Sequence, residues 1–202
     1  MHNNNEIKIT QGLTELDSLN QDIELPVTKF STWLDNTLIY IGKSVSLIWI
    51  FLIAVIIFNV FMRYILGEGR IEFEELQWHL YSIGWLFGLS YCLVTDNHVR
   101  VDLVHHRLTL RTKAWLELLG LLFFLIPFIC IVLWYAVPFI AYSWTTGEIS
   151  GAPGGLPYRW LIKAVLFLGF ILLAFATLSR LSRVCAYLFP LKAHASHVQA
   201  IA

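Results

Sequence analysis

The side chains best suited to chemistry lie beside apolar segments rather than within them. Glu72, Glu74 and Glu75 precede a long apolar run, and His79 follows Glu75 by four residues. That spacing brings two side chains together on one face of a helix. Carboxylates ahead of a helix also interact favourably with its N-terminal dipole. Local pairing or helix capping therefore accounts for this group, and a docking surface for another protein is the functional alternative.

The sequence lacks the ligand spacings that metal binding and redox chemistry require. Three histidines fall in one polar segment: His98, His105 and His106. No cysteine, second acidic pair or His-Glu-x-x-His spacing accompanies them. The three cysteines are far apart: Cys92, Cys130 and Cys185. The sequence therefore predicts no catalytic residue, cofactor or metal site, and a membrane-anchor redox subunit using haem or quinone is kept as an alternative.

The composition is that of a protein solvated by lipid. Of the 202 residues, 57% are apolar and 14% charged, and the mean hydropathy is +0.67. Fourteen Lys and Arg balance fourteen Asp and Glu, so there is no surplus of positive charge for a nucleic acid partner. Residues 1–25 are polar and contain no apolar core followed by a small-residue cleavage site. We expect this segment to be an uncleaved, disordered tail.

Four apolar runs are long enough to cross a bilayer as helices. The predicted spans are 44–62, 76–94, 115–142 and 162–180. The third run is the longest, and Pro127 and Pro138 give it places to bend. Residues 151–160 combine glycines and prolines with an aromatic and basic end, which predicts a rigid turn anchoring the fourth span.

Ahead of the first span, residues 26–43 repeat apolar side chains every three or four positions. This pattern predicts an amphipathic helix along the membrane headgroups, with Asp35 off its apolar face. The expected fold class is an all-α membrane protein with four transmembrane helices plus an N-terminal amphipathic interfacial helix. The membrane domain would comprise residues 26–185, followed by a C-terminal tail of residues 186–202.

The distribution of Lys and Arg predicts the orientation of the spans. Ten of these residues lie in the N-terminal segment, the middle loop and the C-terminal tail, and four lie in the other two loops. Because cytoplasmic loops retain Lys and Arg, we expect both termini in the cytoplasm of a bacterium and the protein in the inner membrane. The first and third loops would then be periplasmic.

The spans carry too few polar groups for this chain to move a solute by itself. Ion and substrate sites within a membrane need ionisable or strongly polar side chains at depth, and the first, third and fourth runs offer none that ionise. Asn59, near the periplasmic end of the first span, is expected to hydrogen-bond a neighbouring helix. A small carrier that works as a homo-oligomer is a further alternative.

The chain resembles the small DctQ-type subunit of tripartite ATP-independent periplasmic (TRAP) transporters over residues 27–185. The resemblance rests on the acidic Glu-Phe-Glu-Glu at 72–75, on Asp-Asn-His-Val-Arg-Val-Asp at 96–102 and on Gly-Gly-Leu-Pro-Tyr-Arg-Trp at 154–160. The His-Val-Arg-Val-Asp part is the most specific of these.

This resemblance implies an accessory scaffold subunit, not an enzyme, in a sodium-driven transporter that imports a small organic acid. Its partners would be a large multi-span (DctM-type) subunit that moves as an elevator, a periplasmic solute-binding (DctP-type) protein and membrane lipids. By position, the acidic group and Arg159 would help to seat the binding protein, whereas the middle loop would lie against the large subunit or headgroups. The candidate partner-interface residues are Glu72, Glu74, Glu75, His79, Asn59, His98, Arg100, Asp102 and Arg159.

Overall fold

The computed structural model describes residues 25–26, 28–96 and 109–189. All regular structure in these residues is helical, which confirms the all-α class. The α-helices in chain order are α1 (Lys29–Ser46), α2 (Ile48–Ile65), α3 (Ile71–Val94), α4 (Leu110–Gly120), α5 (Ile126–Thr145) and α6 (Trp160–Leu188). A five-residue π-helical turn, Leu121–Leu125, joins α4 to α5.

Three helical segments are long and apolar enough to cross a membrane: Lys29–Ile65, Leu110–Thr145 and Trp160–Leu188. They contain the first, third and fourth predicted spans. The second predicted span lies in α3, whose 24 residues are interrupted by polar Gln77, His79 and Ser82 and fall short of the same apolarity. The chain is therefore a membrane protein with several apolar helices, and the count of four spans stays a prediction.

Helix α1 packs against protein rather than standing apart. Thr28 caps it by accepting a hydrogen bond from the Ser31 N–H. Leu34 and Leu38 of the predicted apolar face are buried, and α1 contacts α3 and α6. Asp35, expected off the apolar face, has its carboxylate beside the cationic Arg183 of α6. An interfacial position for α1 stays a prediction.

The four longest apolar helices form an open row in the order α2, α3, α6, α5. Helix α6 contacts α3 and α5, and α3 also contacts α2. Among the described helices, α2 makes no comparable contact with α5 or α6, so the row does not close into a bundle. The core lies where α3, α5 and α6 meet, at Leu86, Ile129, Phe170 and Leu173.

Glycine allows close approach at two contacts in the row. A Cβ added at Gly169 of α6 would lie 2.9 Å from the Leu86 Cβ of α3. One added at Gly84 of α3 would lie 3.0 Å from the Trp49 ring of α2. Helices in lipid associate through close van der Waals packing at such small residues, so these glycines favour flat side-by-side contacts.

The two prolines of the third apolar run lie in or beside α5. Pro127 is at the start of α5, directly after the π-helical turn, and Pro138 is inside the helix. Because proline has no N–H, it cannot donate to the carbonyl four residues earlier. The π-helical turn lies directly before Pro127, and in it the Ile126 N–H donates to the Leu121 carbonyl, five residues earlier. This turn accommodates the interruption that Pro127 causes in the helical hydrogen bonds.

Candidate functional site

Glu75 in the first turns of α3 holds the loop that precedes α6. Its carboxylate accepts a hydrogen bond from the Ser150 hydroxyl and a second, at 2.6 Å, from the Leu156 N–H. The Ser150 N–H also donates to the Leu156 carbonyl at 3.3 Å, which closes the loop on itself. The bonds from Ser150 and Leu156 lower the pKa of the Glu75 carboxyl. We call Glu75, Ser150, Gly155 and Leu156 the Glu75 clamp.

The two glycines of the 154–160 motif are explained by the Glu75 clamp. Gly154 has a φ of +77°, in the left-handed region that favours glycine. A Cβ at Gly155 would lie 2.6 Å from the Ser150 Oγ and 2.9 Å from the Glu75 Oε1. Glycine at both positions lets the backbone turn beneath the carboxylate. Tyr158, further along the loop, also has a positive φ of +63° and a largely exposed side chain.

An ion pair also ties the two ends of this loop together. Lys163 of α6 donates to the Glu148 carboxylate, and its Nζ lies 4.0 Å above the centre of the Phe139 ring of α5. The hydrogen bond from Lys163 lowers the pKa of Glu148. The rings of Trp144 and Trp160 meet edge to face at 4.6 Å. The loop is therefore held by α3, α5 and α6 together.

The acidic group predicted as one surface is divided among different contacts. Glu74 pairs with Arg63 of α2 at 2.9 Å, an exposed pair of small energetic value. Glu75 belongs to the Glu75 clamp and makes no hydrogen bond with His79 in the described part of the chain. Glu72 likewise has no ion pair within residues 28–96 and 109–189. Only Glu72 of the three carboxylates is thus left for an outside partner.

Arg159 lies on the exposed side of the same loop. Its N–H donates to the Glu148 carbonyl at 3.3 Å, and its positive charge acts on the Glu75 and Glu148 carboxylates. The described residues offer its guanidinium no ion pair. Of the charged side chains in the predicted docking group, Arg159 and Glu72 are therefore the two near this loop that can pair with another protein.

Asn59 is buried on α2, as a helix-contact residue should be. Its side-chain oxygen, however, has no hydrogen-bond partner in the described residues, so the expected bond to that oxygen is not formed. Its neighbour Phe58 packs edge to face on Phe73 of α3 at 5.1 Å. Packing of aromatic and aliphatic side chains therefore holds α2 on α3.

The middle-loop candidates His98, Arg100 and Asp102 lie outside the described residues, as do His105 and His106. Within the described ranges, no group of three His, Cys, Asp or Glu side chains is placed to hold a metal ion.

A cluster of charged side chains that sequence reasoning missed lies at the other ends of the helices, away from the Glu75 clamp. Arg180 of α6 is 6% exposed, donates to Glu117 of α4 and lies 3.1 Å from Asp96 at the end of α3. One turn further, Arg183 lies 3.6 Å from Asp35 of α1. The Ser179 hydroxyl donates to the same carboxylate at 2.5 Å. This Arg180 cluster (Asp35, Asp96, Glu117, Ser179, Arg180 and Arg183) joins α1, α3, α4 and α6.

The sequence contained a signal for the Arg180 cluster. Glu117 is an isolated acid beside a long uncharged run, and Arg180 and Arg183 follow an uncharged run directly. Charges at such places need partners when helices pack. In the sequence, these arginines indicate the orientation of the spans, but their carboxylate partners lie too far away along the chain to be identified.

One comparison with known proteins gives a match. The family model described as "Tripartite ATP-independent periplasmic transporters, DctQ component" matches residues 52–186, about two thirds of the chain. The matched range contains the whole Glu75 clamp and, within the Arg180 cluster, everything except Asp35. A search of curated proteins gave no match.

Proposed function

Because this chain belongs to the DctQ component family of tripartite ATP-independent periplasmic transporters, we propose that it acts as the non-translocating scaffold of such a transporter. It would support a large multi-span subunit of the DctM type and leave substrate and sodium movement to that partner. The observation that carries the proposal is the open row of helices, which encloses no path of its own among the described residues.

The distribution of polar groups supports this division of labour. An ion or solute path needs polar side chains at membrane depth. In the described row, the contact core of Leu86, Ile129, Phe170 and Leu173 is apolar. The buried Arg180 is paired with carboxylates at one end of the helices. Such a protein can support a moving neighbour, but its described helices offer an ion no series of polar binding groups across the membrane.

The row also supports a topology with four spans. Helix α3 lies between α2 and α6, and both of these neighbours belong to segments able to cross a membrane. Because α3 has 24 residues, enough to rise about 36 Å as a helix, its packing along both neighbours favours a position across the bilayer. Given the Lys and Arg bias, the Arg180 cluster, α1 and both termini would then lie on the cytoplasmic side of a bacterial inner membrane.

The loop held by the Glu75 clamp would then face the periplasm and help to seat the DctP-type binding protein. Glu72 and Arg159 would contact that protein directly, because both side chains are free of ion pairs in the described residues. Glu75 would act indirectly, by fixing the shape of the loop. His98, Arg100 and Asp102 stay proposed contacts on the cytoplasmic side.

Reconstitution into vesicles with an inward sodium gradient tests the proposal. The chain alone should give no uptake of a small organic acid, whereas the chain with its large subunit and binding protein should give sodium-dependent uptake. Uptake by the chain alone would overturn the scaffold proposal in favour of the homo-oligomeric carrier. The redox alternative finds no support in the family match.

A further inference from the structure

The loop between α5 and α6 exposes a group of large apolar and aromatic side chains. Ile149 is 67% exposed, Tyr158 is 65% exposed and Trp144 is 62% exposed. They line a shallow cleft of about 380 Å³ together with Gly147, Pro157 and Trp160. We call Trp144, Ile149, Pro157, Tyr158 and Trp160 the Trp144 patch. In the described residues, neither the Trp144 indole N–H nor the Tyr158 hydroxyl makes a hydrogen bond, so each ring has a polar group available.

The backbone at Tyr158 is unusual for an exposed aromatic residue. Its φ of +63° lies in the left-handed region, which is strained for a bulky side chain. Backbone hydrogen bonds hold the segment on both sides, since the Arg159 N–H donates to the Glu148 carbonyl and the Leu161 N–H donates to the Tyr158 carbonyl. Burial of the ring within the protein does not offset the strain, because most of the ring is exposed. A strained residue that directs an aromatic ring outward indicates a contact outside the chain.

Contacts with the helices show the depth at which this loop lies. Glu148 pairs with Lys163, whose Nζ lies 4.0 Å from the centre of the Phe139 ring. Phe139 lies six residues before the end of α5, which is about 9 Å along the helix. Phe139 and Lys163 fall within the third and fourth predicted spans. The loop therefore folds back beside the ends of α5 and α6 instead of projecting away from them.

Helix α3 holds the other side of the loop at the same level. In the Glu75 clamp, Ser150 and Leu156 donate to Glu75, which directly precedes the predicted span 76–94. Helices α5 and α6 belong to segments able to cross a membrane, so their facing ends lie near its boundary. The headgroup layer outside the hydrocarbon is roughly 5–8 Å thick on each side. A loop held at the level of three helix ends lies in that layer.

We propose that the Trp144 patch inserts among the lipid headgroups and anchors this loop to the membrane surface, on the periplasmic side in the proposed topology. Indole and phenol rings suit this layer, because their apolar bodies contact lipid while the N–H or O–H reaches headgroup oxygens or water. Ile149 adds apolar area without a polar group, and burial in the interface removes that area from water. The depth of the patch favours lipid over the soluble binding protein, which would have to displace headgroups to reach it.

This inference goes beyond the proposed function, because it concerns the chain alone and requires only that α5 and α6 cross the membrane. It assigns two sides of one loop to different contacts. Glu72 and Arg159 stay available to the binding protein, whereas lipid covers the Trp144 patch. Failure of the uptake experiment would therefore leave this inference intact.

A spin label tests the depth of the patch in vesicles that contain only this chain. With the three native cysteines replaced by alanine, a label at Ile149→Cys should be relaxed by oxygen, which dissolves in lipid, and protected from a water-soluble nickel complex. A label at Glu72→Cys should show the opposite pattern. Equal access of the nickel complex to both labels would overturn the proposal. Protection at Ile149→Cys that appears only when the DctP-type binding protein is added would overturn it too, since the patch would then bind protein.

An added charge gives a second measurement, with the native cysteines in place. Ile149→Asp puts a carboxylate into the patch, and an unpaired charge disfavours insertion among apolar groups, so amide exchange of the loop in vesicles should rise several-fold. Gly151→Asp is the matched control, because it adds the same charge at an exposed position of the same loop with nothing within 4 Å of a Cβ. That variant should exchange like the unaltered protein. An equal rise in both variants would show that net charge orders the loop, and no rise in either would also contradict anchoring by lipid.

Discussion

Asp96 at the end of α3 lies 3.1 Å from the guanidinium of Arg180, although its own backbone has a φ of 58°. A position of this kind at a helix C-terminus usually carries glycine, because other side chains are strained there. Aspartate occupies this position, and its carboxylate is one of two that flank the buried Arg180. The ion pair therefore holds the C-terminal end of α3 against α6.

Replacement of Arg180 should strongly destabilise the protein, because this side chain is buried and paired with two carboxylates. Arg180→Leu leaves the Glu117 and Asp96 carboxylates close together without their cation, and removal of one partner of a buried ion pair costs about 3–5 kcal/mol. Thermal unfolding in detergent should show a large fall in melting temperature. The control is Arg70→Leu, since Arg70 is exposed and its ion pair with Glu68 is long, at 4.0 Å.

Arg180→Lys should rescue this loss only in part. The guanidinium uses Nε for Glu117 and Nη2 for Asp96, and an ammonium group cannot reproduce that fork. A melting temperature between those of the unaltered protein and Arg180→Leu is expected. Full rescue would show that charge alone, and not geometry, holds α3 and α4 on α6.

Gly155→Ala should disrupt the Glu75 clamp, whereas Gly151→Ala should not. A Cβ at Gly155 would collide with the Ser150 and Glu75 side chains, and nothing lies within 4 Å of a Cβ at Gly151. The readouts are amide exchange of residues 148–156 and affinity for the DctP-type binding protein. Gly155→Ala should raise exchange several-fold and weaken binding. An equal response of the two variants would refute the close approach at Gly155.

Glu75→Gln and Glu74→Gln separate loop support from surface charge. The first removes a carboxylate that accepts from both Ser150 and Leu156, and the second removes half of an exposed pair with Arg63. Only Glu75→Gln should increase cleavage of loop 146–159 by an added protease. Insertion into the membrane should be normal for both variants. If Glu74→Gln opens the loop equally, net charge and not the Glu75 clamp orders it.

Loop order should also depend on pH, with a definite sign. Hydrogen bonds from Ser150 and Leu156 lower the pKa of Glu75 below its ordinary value of 4.5. The stability that Glu75 contributes is therefore complete above pH 4.5 and is lost as the pH falls through the lower pKa of the folded state. Amide exchange of the loop, measured from pH 6 down to pH 3 and corrected for intrinsic rates, should rise only at the acid end. Glu75→Gln should show no such step.

The sequence determined the helical class and the apolar runs, because the 3.6-residue repeat and the length of each run are local properties. It also singled out Glu75 and the Gly154–Gly155 pair as unusual. It did not reveal that Glu75 holds the loop around Gly155, since that contact joins residues about eighty positions apart. Nor did it reveal that Asp35 faces Arg183, because a local pattern on α1 does not show which neighbour offsets a charge. The row order of the helices likewise depends on contacts between distant segments.

The attachment of α1 gives the last prediction, which tests that long-range contact directly. Asp35→Ala removes the carboxylate that faces Arg183 at 3.6 Å and accepts from Ser179. The Arg183 Nε is already buried without a hydrogen-bond partner in the described residues, so loss of Asp35 leaves that guanidinium poorly compensated. Helix α1 should therefore detach more readily from α6, and a spin label on α1 should gain mobility. Asn36→Ala, at the exposed neighbouring position, is the matched control and should leave the label unchanged. If both variants behave like the unaltered protein, packing of Leu34 and Leu38 alone holds α1 in place.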